Sequence, residues 1–132
     1  MAAEILERFE VIEECYEFML AYAAQGLTTD KGSESGKQVR EFLIRAANAL
    51  TGVKESCAET IGDARPAFLA VLERDAGDSL AAMELVLAQP AISSQLIDNL
   101  NASVHLRALL TDVFLLGEVL RAQQVAAQSA GS

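Results

Sequence analysis

Residues 93–122 read SSQLIDNLNASVHLRALLTDVFLLGEVLRA, and the spacing of their apolar side chains decides the fold class. Leu106, Leu109, Val113, Leu116 and Leu120 recur at steps of three and four, with Leu110 flanking them. At about 100° of turn per residue, these positions share one face of a helix. A second apolar stripe, Ile97, Val104, Ala108, Leu115 and Val119, lies roughly opposite, with Asn101 and Thr111 inside it. Asp98, His105 and Asp112 form one polar edge between the stripes, and Arg107, Glu118 and Arg121 form the other. A surface helix of a monomeric bundle needs only one apolar face. Two faces allow two arrangements. Either this segment is central and the rest of the chain wraps around it, or the second stripe is a self-association surface, most simply a twofold one. We expect the second.

The rest of the chain carries the same period. From about Glu4 to Gln25, Ile5, Phe9, Ile12, Tyr16, Met19 and Ala23 step by four and three, beside a second line of Val11, Cys15, Phe18 and Tyr22. Gly26 then suits a left-handed helix end, with Leu27 as the apolar residue after it. A polar loop over 28–34 follows. Ser35 and Gln38 stand in capping-box relation at the start of a second segment. Val39, Leu43, Ala46, Leu50, Val53 and Cys57 mark its buried face, and Gly52 is a weak point inside it. Gly62 interrupts the chain, Asp63 is a good N-cap, and Pro66 falls in the first turn of a third segment, where its missing N–H does no harm. Phe68, Leu72, Ala76, Leu80, Met83 and Leu87 form that segment's apolar face; Gly77 is a point for a kink, and Pro90 ends it. Four segments with short connections predict an all-α fold, an antiparallel four-helix bundle with up-down-up-down order and the fourth helix longest. One domain is expected over 1–125, followed by a small polar tail over 126–132 that frays or extends the last helix.

Composition agrees. The 132 residues are 52% apolar, weighted to Ala, Leu and Val, with no Trp and two prolines, which suits helix and disfavours strand. The length can bury a core without disulfides or metals. The net charge of -9 lacks the basic stripe that nucleic-acid binding needs, and anionic lipid would repel such a surface. The first residues show neither a basic region nor an apolar run, and no stretch has the length and apolarity of a membrane span. Cytoplasmic placement is therefore expected, with the cysteines reduced.

Few residues carry recognisable chemistry. His105 is the sole histidine, and no Glu precedes it by three positions, so the di-iron pattern of helical bundles is missing. Cys15, Cys57 and His105 lack the local spacing of a zinc site. An antiparallel hairpin turning near residue 31 would leave Cys15 and Cys57 about 15 Å apart, beyond disulfide reach; both read as core residues. No phosphate loop, nucleophile elbow or dinucleotide fingerprint is present. No metal or cofactor is expected. Glu7, Glu10, Glu14 and Glu17 line one face of the first segment, either as solvated surface or as a docking stripe for a basic protein. Together these features point to a non-enzymatic interaction protein: an adaptor, accessory subunit or assembly chaperone, forming a homodimer or higher homo-oligomer through Ile97, Val104, Ala108, Leu115 and Val119. The alternative is a small-molecule-binding bundle or small enzyme with an interhelical pocket near His105.

Overall fold

The four apolar segments are helical, and two of them are broken. The computed structural model describes residues 2–61 and 66–130. It holds α1 (Ala2–Ala24), α2 (Glu34–Leu50), α3 (Val53–Ile61), α4 (Pro66–Leu87), α5 (Ser94–Ala102) and α6 (Val104–Ala130). There is no strand among the described residues. Among the described residues, six helices therefore stand where four are expected. The expected N-cap at Asp63 lies outside the described residues, while Pro66 does open α4.

The first break is at Gly52, whose φ of 84° takes the chain out of the helical region where only Gly does so without strain. The Thr51 N–H still reaches Ala47 O at 3.0 Å, closing α2. Arg8 of α1 donates to the carbonyls of Ala49 and Thr51, both at 2.9 Å. Those end carbonyls have no partner within the helix, and a guanidinium there also complements the helix dipole. The apolar face survives the break: Val39, Leu43, Ala46 and Leu50 of α2 and Val53 and Cys57 of α3 are all buried.

The second break is at Ser103. Its backbone is extended, with φ -63° and ψ 145°, and it serves two helices at once. Its N–H bonds to Leu100 O at 3.1 Å and closes α5, while its Oγ accepts from Leu106 N at 3.3 Å and opens α6. Asn99, Asn101 and Ser103 surround this point, residue types whose side chains compete with the helical backbone. Gly77, by contrast, does not interrupt α4.

The start of α2 also differs from expectation. Ser33, not Ser35, is the N-cap, with its Oγ accepting from Gly36 N at 3.0 Å. Gly36 lies against the backbone of Asp30, where a Cβ would stand 1.8 Å from the carbonyl oxygen. The contact requires glycine and fixes where the helix begins.

Helices α1 and α4 each pack against α2, α3, α5 and α6, so the two broken segments stand between them. The core runs through every element: Ile5, Phe9 and Met19 of α1, Leu43 of α2, Cys57 of α3, Leu72 and Met83 of α4, Ile97 of α5, and Leu106 and Leu109 of α6. On α1 the buried side chains come from both apolar lines, with Cys15 and Tyr22 as fully enclosed as Phe9 and Met19. Phe18 and Phe42 stack at 4.6 Å beside this core, and Arg45 lies 5.3 Å over the Phe42 ring.

The loops after α1 and α4 are locked together by polar groups. Gly26 takes the expected left-handed conformation, with φ 67°. Leu27 then forms a two-way link with Ser94: Ser94 N donates to Leu27 O at 2.8 Å, and Leu27 N donates to Ser94 Oγ at 2.9 Å. Tyr22 Oη donates to Ile92 O at 2.7 Å, and Ser94 Oγ donates to Tyr22 O at 2.6 Å. Asp30 is buried, paired with the Arg40 guanidinium and accepting from Ile92 N at 2.7 Å. Arg40 in turn donates to Leu87 O at 3.2 Å and Gln89 O at 2.9 Å at the end of α4.

Candidate functional site

Helix α6 contains the two faces read from the sequence, and only one of them is covered. Leu106, Leu109, Leu110, Val113, Leu116 and Leu120 are all buried. On the other side Val104 is 71% exposed, Leu115 57% and Val119 43%, with Ala108 half-buried and Thr111 exposed. Phe114 and Val125, 52% and 62% exposed, extend the apolar surface along one flank. The segment is therefore not the central helix of the fold. Its outer face meets solvent, which is uncommon for a contiguous apolar strip.

Ile97 is not part of this strip. It lies in α5 and is fully buried. The break at Ser103 resets the helical phase, so counting 3.6 residues per turn through it puts Ile97 on the wrong side. Asn101 shares that fate: it is buried, and neither its amide nitrogen nor its oxygen has a hydrogen-bond partner. Phe114 was legible as an exposed position, since it sits one residue before Leu115 and off the buried face; no such periodicity singles out Val125.

Asp112 departs from expectation too. It is buried at the seam of α4 and α6, and its Oδ2 has no hydrogen-bond partner. Burial, and then Asp75 of α4 beside it, push its carboxyl up to about 7. A neighbouring carboxylate adds to burial in disfavouring the charged form of Asp112. One turn away, Ser79 Oγ of α4 donates to His105 O at 2.9 Å. The His105 side chain itself is exposed, as Asp98 is.

A shallow depression lies on the outer face of α6, lined by Ala102, Val104, Arg107, Ala108 and Thr111. It spans the helix break at Ser103 and the first turns of α6, ahead of the larger Leu115 and Val119. His105 does not line it. No family model, curated protein or solved structure matches this chain.

The carboxylates of the first segment lie along the exposed side of α1: Glu7, Glu10, Glu14 and Glu17 all face solvent. Glu14 meets Arg45 of α2 at 3.5 Å. Glu4, nearer the start, bonds Arg8 at 3.3 Å and Ser56 at 3.1 Å. The cysteines are free and enclosed, and burial pushes both thiols up to about 12. They are poor nucleophiles in that state. Among the described residues, no three side chains of the metal-ligating types come together, and no helix is long and apolar enough to cross a membrane.

Proposed function

We propose that this chain is a non-enzymatic interaction protein of the cytoplasm that self-associates through the outer face of α6, serving as an adaptor, accessory subunit or assembly chaperone. The observation that carries the reading is the strip of Val104, Ala108, Leu115 and Val119, open to water on a helix whose opposite face is fully buried. Burying such surface stabilises by about 25 cal/mol per Å², before the costs of association. On this reading the six helices act as four arms, with α2–α3 and α5–α6 as broken ones, in up-down-up-down order. Glu7, Glu10, Glu14 and Glu17 are then free to steer a basic protein toward α1 while α6 is occupied.

Placing a charge on the strip tests this. Leu115→Glu and Ala108→Glu should leave the helical circular dichroism unchanged and yield monomers in sedimentation velocity. Val113→Glu, on the buried face, should unfold the chain instead. Loss of fold in Leu115→Glu would mean the outer face is needed within one chain, and the proposal would fail.

A further inference from the structure

Resting on that reading, we infer that the occupant of the outer face is α6 of a second copy, antiparallel, on a twofold axis passing between Thr111 and Asp112. Val104, Ala108, Leu115 and Val119 are placed symmetrically about that point, while Phe114 and Val125 lie on one flank without such counterparts. Val104 and Val119 are equidistant from it, and so are Ala108 and Leu115. A twofold interface requires this kind of reciprocity, because residue i meets residue j and j meets i. In that register the partner's Leu115 falls opposite Ala108, and the depression lined by Ala102, Val104, Ala108 and Thr111 receives it. A large side chain set against a small one lets two helices approach closely. The partner's Val119 covers Val104, the most exposed of the strip.

The flanking charges agree. Arg107 and Glu118 lie on the same side of the strip, and the twofold brings the Arg107 side of one copy beside the Glu118 side of the other. Their midpoint differs from that of the apolar pairs by one residue, so the two side chains are offset by about 3 Å along the helices, which an arginine side chain spans easily. The exposed charges of α6 are Arg107, Glu118 and Arg121, while Asp112 is buried against α4. This matters in a chain of net charge -9. Most of its surface would repel a copy of itself, whereas this rim carries no acidic excess and sets Arg107 against Glu118 of the other copy. A strongly basic partner would instead be drawn to the carboxylates of α1.

Cysteine cross-linking reads the register directly, because Cys15 and Cys57 are enclosed and their thiols stay protonated. Thr111→Cys, placed next to the axis, should oxidise to a disulfide-linked dimer as the main species. Val104→Cys alone should not, since two such positions would be separated by about 22 Å along the helices. Mixing Val104→Cys with Val119→Cys should give the cross-linked heterodimer. Self-linking of Val104→Cys would indicate parallel helices and overturn the register while leaving self-association standing. A wild-type chain that sediments as a monomer throughout would overturn both.

Discussion

Asp30 and Asp112 are both buried carboxyls, and their surroundings are opposite. Asp30 sits among the loops at one end of the fold, paired with Arg40 and accepting from Ile92 N, with Tyr22 and Ser94 closing the same network. Asp112 sits on the α4–α6 seam with one oxygen unpartnered and Asp75 as its neighbour. The buried polar groups of the loop end, Asp30, Tyr22 and Ser94, are all hydrogen-bonded within the fold. The α6 side keeps a carboxyl oxygen without a partner at its seam with α4, and an exposed apolar strip on its outer face. The first region is accounted for by its internal hydrogen bonds, and the second is where the proposed self-association is sited.

The two carboxyls should respond to substitution in opposite directions. Asp30→Asn removes the charge that Arg40 answers, in a site with little water. Breaking such a pair costs about 3 kcal/mol, to be read as a lower denaturant midpoint. The Arg40 guanidinium beside it holds the Asp30 carboxyl below its ordinary value, helped by the Ile92 N–H. Its contribution is therefore full above the ordinary carboxylate range and lost as pH falls through the lowered value. Asp30→Asn should flatten the acid limb of the stability profile.

Asp112→Asn should stabilise. A carboxyl raised to about 7 contributes most below its unfolded value, and that contribution is lost as pH rises through neutrality. The variant should unfold at a higher denaturant midpoint at pH 8 by roughly 1–2 kcal/mol, the scale of relieving a buried unmatched polar group. The difference from wild type should close by pH 5. An unchanged gap across that range would show that Asp112 is not held protonated. Glu14→Gln is the exposed counterpart: it loses only a surface pair with Arg45, and stability should shift by less than about 0.5 kcal/mol.

The sequence carried the helical class and most of the core, because steps of three and four depend on local geometry alone. All six positions of the inner α6 face are buried, as are all six of the face shared by α2 and α3. The outer strip was legible for the same reason, except at Ile97, where the break at Ser103 reset the phase. The run of Asn99, Asn101 and Ser103 was a visible signal for that break. What periodicity could not show was anything depending on distant contacts. Asp30 with Arg40 and Ile92, Arg8 on the end of α2, and Asp75 beside Asp112 each join residues more than 9 positions apart, and such pairs are set by packing.

On the proposed reading, the outer face of α6 is covered by a second copy. Sedimentation equilibrium on the wild-type chain, from low to tens of micromolar, tests it most directly. The expected mass is twice that of the 14.1 kDa chain, falling to a single chain in Leu115→Glu at the same concentrations. A wild-type mass of one chain across the whole range would contradict it.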